Sequence, residues 1–176
     1  MDDVDFEAPK ESGRTTAGYA DFVQMSGCKG TINISNCTFA GPHDDPINIH
    51  GTFNTVTAIS SDRRTITVQY NHNETAGFPN FFEGDEIEFM TKGNMITVED
   101  SVRTVTKVDG PDGMGGNMGD GSGSLTTIKL TLNEAVPSDV QVNQHVVENI
   151  TYTPTVNITN LSLIHISEPT RLQLIS

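Results

Sequence analysis

Basic residues are scarce in this chain. Ten lysines and arginines stand against 23 aspartates and glutamates in 176 residues, which gives a formal net charge of −13. A basic face is what the phosphates of nucleic acid or of an anionic membrane require, so neither is an expected partner. Tryptophan is absent, and no apolar run approaches the ~20 residues of a transmembrane helix. Membrane insertion is therefore not expected either.

Cysteine is rare as well, with only Cys28 and Cys37. A disulfide between them is conceivable, but cysteines packed as small apolar side chains are the favoured interpretation. The opening MDDVDFEAPKESGR has neither the basic nor the apolar region of a secretory signal peptide. Either the protein is cytoplasmic or its native N-terminus lies upstream of this sequence.

A short pattern occurs twice in the first 51 residues. Residues 21–27 and residues 45–51 both read Asp-x-apolar-x-apolar-x-Gly, so that Asp21 corresponds to Asp45. The first copy continues into GTINISNCTF (30–39), whose counterpart is PTVNITNLSL (154–163). Short alternating strands that repeat with Asn and Gly at the corners predict a right-handed parallel β-helix, each turn of which is a rung. The rungs are expected over residues 1–51 and 149–163, with Asn36 and Asn160 as stacked corner residues.

The segment between the two parts, residues 52–148, is predicted to be an inserted domain. It contains six alternating stretches separated by turn signals, which indicates a small antiparallel β-barrel. These stretches are 55–61, 63–70, 85–90, 96–108, 126–132 and 144–150. The Gly/Asp-rich stretch at 108–124 fits neither the EF-hand nor the nonapeptide calcium pattern, so a hairpin tip is favoured there over a calcium site.

The stretch GPHDDPINIHG (41–51) holds the candidate catalytic residues. Asp44 and Asp45 are adjacent, and Pro46 keeps the residue before it extended. Because equivalent residues of neighbouring rungs stack about 4.8 Å apart, Asp21 should join them in one cluster. Clustered carboxylates that differ in protonation supply the acid and the base of glycoside hydrolysis, and side chains diverging from adjacent rungs favour an inverting enzyme. A solvated turn, a backbone cap or a metal site are the alternatives for these aspartates.

Strand alternation also selects candidate substrate contacts. If the apolar residues of the two copies point inward, Gln24, Asn48 and His50 point outward beside the carboxylates. Amides and imidazoles suit sugar hydroxyls because each can donate and accept hydrogen bonds. His43 is a further candidate for sugar binding. Two histidines without a convincing third ligand favour such polar contacts over a zinc site.

These residues are similar to those of a known enzyme family. SGCKGTINISNCTFAGPHDDPINIHGT (26–52) resembles the signature region of glycoside hydrolase family 110, the bacterial exo-acting α-1,3-galactosidases, and GCKG and HDDPIN-x-HG carry most of the resemblance. VVENITYTPTVNITN (146–160) resembles the point where the family's chain returns to its β-helix, and FFEGDEIEF (81–89) resembles its inserted barrel. The likeness extends over about residues 14–160.

The resemblance implies an inverting hydrolase that removes terminal α-1,3-linked galactose without a metal or other cofactor. The family's catalytic aspartates match Asp21, Asp44 and Asp45, with Asp44 favoured as the acid and the other two holding the water. It also implies that this chain is an internal fragment of a periplasmic or secreted protein, which needs further rungs for full activity. Residues 164–176 are expected to be non-native, because SLIHISEPTR resembles the read-through of a sequencing adapter.

Two other functions remain open from the sequence. One is a β-helix hydrolase acting on another polysaccharide, although an acidic chain would repel a polyanionic substrate. The other is a non-catalytic β-helix of a surface protein that only binds carbohydrate. The natural glycan and the oligomeric state are not determined by the sequence.

Overall fold

The computed structural model describes residues 1–72, 75–76, 78–111 and 127–164. Most of the Gly/Asp-rich stretch at 108–124 and all of the tail from residue 165 lie outside these ranges, so the predictions made for them stay predictions. The described chain is all-β, as predicted, with two short 3₁₀ helices at Lys10–Ser12 and Ile150–Tyr152. No helix within the described ranges has the length and apolar character needed to cross a bilayer. The strands, in chain order, are β1 (Asp5–Phe6), β2 (Val23–Ser26), β3 (Thr31–Ser35), β4 (Thr38–Ala40), β5 (Ile47–His50), β6 (Phe53–Ile59), β7 (Thr65–Tyr70), β8 (Glu86–Thr91), β9 (Arg103–Asp109), β10 (Thr127–Leu132), β11 (His145–Asn149), β12 (Thr155–Thr159) and β13 (Ser162–Ile164).

The strands fall into two compact units. Within the described ranges, the parallel unit comprises residues 1–26, 30–50 and 154–164, and the barrel unit comprises residues between 51 and 153 together with 27–29. All strand pairs in the parallel unit are parallel: β2 with β5, β3 with β12, and β4 with both β1 and β13. Parallel pairing of the repeated segments is therefore present, whereas the extended β-helix stays a prediction.

The core of the parallel unit follows from the alternation of its strands. Val23, Ile34, Cys37 and Phe39 are buried, and partly buried apolar side chains pack against them. The Phe39 ring stacks on the Phe6 ring with a centroid distance of 5.1 Å. Cys28 and Cys37 form no disulfide. Cys37 is thus a packed apolar residue, as the favoured interpretation predicted for both cysteines, whereas Cys28 is only half-buried.

Asparagines stack in two places in the parallel unit, within the β3–β12 pair and at the corner that follows it. The side-chain amide of Asn160 donates to Asn36 Oδ1 at 2.6 Å, and that of Asn157 donates to Asn33 Oδ1 at 2.9 Å. Asn36 and Asn160 both have positive φ, 53° and 51°, a conformation that asparagine tolerates better than most residues. This is the stacked corner arrangement that the repeat predicted.

The barrel unit contains a closed six-stranded barrel. Its strands are antiparallel neighbours in the order β10, β7, β6, β11, β8 and β9. Strand β7 shows why the sequence folds this way, because Ile66, Val68 and Tyr70 are buried and alternate with half-buried polar residues. The barrel core is built from such inward rows of apolar side chains. The predicted barrel is therefore confirmed.

One predicted strand is shorter than expected. The sequence pattern predicts one strand over residues 96–108, but β9 begins only at Arg103. Thr97 makes an isolated bridge to Met90, and Asp100 has a φ of 53°. A left-handed residue cannot continue an extended strand, so the chain turns there before β9 starts. Ser101, which is buried, accepts a hydrogen bond from the backbone N–H of Phe89 at 3.2 Å.

A carboxylate of the barrel makes its stability depend on pH. Glu148 on β11 is paired with Glu88 on β8, and burial, followed by the charge of Glu88, raises the pKa of the Glu148 carboxyl. A raised pKa in the folded state means that stability is highest below the unfolded-state pKa and falls as pH rises through the folded-state pKa.

We therefore expect Glu148→Gln to stabilise the chain at neutral pH and to change its stability little at acid pH. Urea unfolding of both proteins between pH 4 and pH 8 measures this difference. A stability difference that stays constant across that range would contradict the expectation.

Candidate active site

Strands β2 and β5 bring the two copies of the aspartate pattern side by side. Their parallel register pairs Val23 with Ile47 and Met25 with Ile49, and all four side chains pack against the core of the parallel unit. The register continues before the strands, because the backbone N–H of Phe22 donates to the carbonyl of Asp45 at 3.2 Å. The predicted alignment of residues 21–27 with residues 45–51 is thus the pairing in the structure.

Asp21 is held by hydrogen bonds from the neighbouring copy. Its Oδ1 accepts from the backbone N–H of Asp45 at 3.3 Å, and its Oδ2 accepts from the Asn48 side-chain amide at 2.9 Å. Both carboxylate oxygens are engaged, and the side chain is half-buried. Asp21 is therefore fixed in place, whereas Asp44 and Asp45 are exposed.

The three candidate catalytic aspartates lie together. One carboxylate oxygen from each of Asp21, Asp44 and Asp45 lies within 4.8 Å of the others. Three carboxylate oxygens at this spacing are donors that a hard cation such as Ca²⁺ accepts. Exposed acidic groups also cluster without an ion, so the arrangement alone establishes no metal site. It does place three carboxyl groups where one small molecule can contact them all.

The other predicted residues differ in their exposure and in their hydrogen bonds. Gln24 pairs with Asn48 in the β2–β5 register, and both belong to the outward row, as the alternation predicted. Gln24 and His50 are exposed, while Asn48 is half-buried and directs its amide to Asp21. His43 is exposed, and its ring stacks on the ring of Tyr19 with a centroid distance of 5.6 Å.

Tyr19 was not among the residues predicted from the sequence. It precedes Asp21 by two residues, as His43 precedes Asp45 by two. The offset that aligned the aspartates therefore also aligns Tyr19 with His43. That alignment is the sequence signal that could have identified it.

A separate cavity lies on the barrel unit. Its volume is about 510 Å³, and Val98, Asp100, Ser101, Val102, Arg103 and Glu134 line it. None of the predicted site residues belongs to this lining, so the cavity is not part of the candidate active site.

Comparison with known proteins identifies the group to which this chain is related. It is 49% identical over 158 residues to an α-1,3-galactosidase A of Streptomyces avermitilis, a match that covers 90% of this chain and 24% of the relative. A protein of the same name from Peterkaempfera griseoplana is 45% identical over 162 residues, covering 90% of this chain and 22% of the relative. A third relative of the same name, from Bacteroides thetaiotaomicron, is 40% identical over 161 residues. That match covers 91% of this chain and 26% of the relative.

The chain is similar to a segment of these α-1,3-galactosidases. It spans about a quarter of the length of these curated relatives. The resemblance inferred from the residues around the aspartates is thereby confirmed.

A family model described as GLAA-B beta-barrel domain II matches residues 65–112. Within the described chain, that match begins at β7 and includes β8 and β9, three of the six strands of the closed barrel. The barrel of this chain is thus recognised by sequence as well as by its strand order.

Proposed function

We propose that this chain carries the catalytic aspartates of a glycoside hydrolase that removes terminal α-1,3-linked galactose from glycans. The observation that carries the proposal is the convergence of Asp21, Asp44 and Asp45 within 4.8 Å. The name shared by the curated relatives supports the substrate class. Most glycoside hydrolases catalyse this reaction with two carboxyl groups that flank the glycosidic bond.

The proposed roles follow from how each aspartate is held. Asp44, which is exposed, donates a proton to the glycosidic oxygen while the bond from that oxygen to the galactose C1 breaks. A water molecule attacks C1 and passes its proton to Asp21 or Asp45, which together orient it. Asp21 suits this task because two hydrogen bonds fix its position. The mechanism requires no metal.

Inversion is proposed from the family resemblance and not from distance. Inverting enzymes usually separate their two carboxyl groups by roughly 6.5–9.5 Å, whereas retaining enzymes hold them roughly 5–5.5 Å apart. The nearest oxygens of the three aspartates lie within 4.8 Å, nearer the retaining range. The anomer of the first product therefore tests the mechanism more directly than the geometry does.

We also infer that the parallel unit is part of a right-handed parallel β-helix in a longer protein. Parallel pairing of β3 with β12 and of β4 with β13 supports this. In this proposal residues 1–51 and 149–163 belong to rungs, residues 52–148 form the insertion, and the longer protein is periplasmic or secreted. Further rungs would supply the rest of the sugar-binding surface.

The test is hydrolysis of galactosyl-α-1,3-galactose followed by proton NMR of the released sugar. The assay uses this chain and a chimera in which it replaces the matching segment of the Streptomyces avermitilis relative, since the chain alone spans about a quarter of that protein. We expect the chimera to release β-galactose first. α-Galactose as the first product would overturn inversion while leaving the substrate class intact.

Failure of the chimera to hydrolyse any α-galactoside would overturn the proposed function, provided that it folds and that the unmodified relative is active in parallel. Sugar binding without hydrolysis would then favour the non-catalytic carbohydrate-binding alternative.

A further inference from the structure

An aromatic pair precedes Asp21 and Asp45 by two residues each in the chain and does not belong to the core. The rings of Tyr19 and His43 stack with a centroid distance of 5.6 Å and an interplanar angle of 7°. Tyr19 is nonetheless 91% exposed, so the face of its ring away from His43 is open to solvent. A side chain with that exposure buries little apolar surface and adds little to folding stability.

The pair is in register with the catalytic aspartates. The backbone N–H of Ala17 donates to the carbonyl of Gly41 at 3.0 Å, and that of Asp45 donates to the side chain of Asp21. Tyr19 and His43 lie between these two contacts, at the same offset along the chain. Two residues of extended chain span at most about 7 Å, so the Cα atoms of Tyr19 and His43 lie within about 7 Å of those of Asp21 and Asp45.

Close packing fixes the segment that carries Tyr19. A Cβ on Gly18 would lie 2.8 Å from Cε1 of Phe22, whose ring stacks on Phe6 at 5.3 Å in the core. A Cβ on Gly41 would lie 2.6 Å from the carbonyl oxygen of Thr15. Glycine at both positions therefore lets the backbone on each side of the pair approach its neighbours closely. The Tyr19 ring is presented to solvent from an anchored segment.

The chemistry of galactose matches such a ring. Its axial hydroxyl at C4 leaves the C–H groups of C3, C4 and C5 together on one apolar face of the sugar. A tyrosine ring offers a flat apolar face with a partial negative charge, which attracts these polarised C–H groups. The sugar's hydroxyls would then remain available to the amides and carboxylates beside the ring.

We infer that Tyr19, supported by the ring of His43, is the platform on which the apolar face of the terminal α-galactosyl residue rests. The inference builds on the proposed function, because it names a residue that selects galactose at the same site. His43 acts through Tyr19 and is a positioning residue in this arrangement.

Saturation-transfer NMR tests the inference separately from hydrolysis. Methyl α-galactoside is added to the chain and to the chimera, each carrying Asp44→Asn so that no turnover occurs. We expect saturation transfer to the H3, H4 and H5 protons of the galactoside. In Tyr19→Ala this saturation transfer should be about five- to tenfold weaker, because the variant loses one aromatic contact. Tyr19→Phe retains the ring and rescues the transfer. Methyl α-glucoside, whose C4–H lies on the face opposite to the C–H groups of C3 and C5, gives a weaker signal throughout.

Controls separate this role from a structural one. The unfolding midpoint of Tyr19→Ala should match that of the starting protein, because the side chain is exposed. Phe82→Ala removes a half-exposed ring of the barrel unit and should leave the transfer unchanged. His43→Ala removes the supporting ring and should weaken the transfer less than Tyr19→Ala does.

The outcomes distinguish the two proposals. If the parent chimera hydrolyses the substrate and Tyr19→Ala shows the same saturation transfer as the protein with Tyr19, only this inference is overturned. Absence of hydrolysis together with a galactoside signal that depends on Tyr19 overturns the proposed reaction and supports the platform. Absence of saturation transfer to every sugar overturns the platform. A Tyr19→Phe protein that is as impaired as Tyr19→Ala overturns it as well.

Discussion

Asp44→Asn is expected to lower kcat for galactosyl-α-1,3-galactose by about a hundredfold or more. The substitution removes the proton that the leaving oxygen needs, and general acid catalysis commonly contributes a factor of this size or larger. The volume of the side chain is nearly unchanged, so sugar binding should persist. The measurement is initial-rate kinetics on the chimera described above, with binding followed separately by NMR.

The choice of leaving group separates the acid from the base. A 4-nitrophenyl α-galactoside expels a weakly basic phenolate that needs little protonation. Asp44→Asn should therefore lose far less activity on this substrate, whereas Asp21→Asn and Asp45→Asn should lose similar factors on both substrates. If Asp45→Asn, and not Asp44→Asn, retains most of its activity on the 4-nitrophenyl α-galactoside, the roles of Asp44 and Asp45 are exchanged.

Asp5 provides a matched control for these variants. It is an exposed aspartate on β1 of the same unit, and it is not among the three clustered carboxylates. Asp5→Asn removes the same charge and should leave kcat within about twofold, since surface substitutions have small effects. Equal losses in Asp5→Asn and Asp44→Asn would indicate that net charge, and not a specific carboxylate, sets the rate.

Phe89→Ala is expected to destabilise the barrel by about 3–5 kcal/mol. Phe89 lies on β8 and has no exposed surface, so truncation removes its transfer free energy and leaves a cavity in the barrel core. A loss of this size is a large part of the total stability of a typical domain. Urea unfolding followed by circular dichroism measures it.

Phe82→Ala is the matched control because the two phenylalanines differ mainly in burial. Phe82 is half-exposed and makes a tilted ring contact with Tyr152 at 6.1 Å. Its removal should cost about 1 kcal/mol, the scale of a single aromatic contact. A smaller loss for Phe89→Ala than for Phe82→Ala would contradict the position of β8 in the closed barrel.

The buried polar contacts of the barrel could not be read from the sequence. Asp85 is buried, and its Oδ2 accepts from the backbone N–H of Phe82 at 2.8 Å and from the Asn149 amide at 2.6 Å. Asp85 and Asn149 are 64 residues apart in the chain. No periodicity links two such positions, because their contact depends on how β8 and β11 are placed in the barrel.

The sequence by itself determined the features that have a period. Alternation predicted the barrel strands, and the repeated Asp-x-apolar-x-apolar-x-Gly pattern predicted the pairing of β2 with β5. That pairing brought Asp21 beside Asp45, because side-chain direction in a strand follows directly from position. The residues around the aspartates also carried the family resemblance.

Only the tertiary structure decided the features that depend on closed packing. The left-handed Asp100 shortened a predicted strand, and Asn48 donated its amide to Asp21. The stacking of Tyr19 on His43 required the segment before β2 to lie against the segment before β5. Asp21, Tyr19 and His43 lie outside regular strands, where no alternation fixes the direction of a side chain. Their positions follow from the space that neighbouring groups leave, which the order of residues along the chain does not specify.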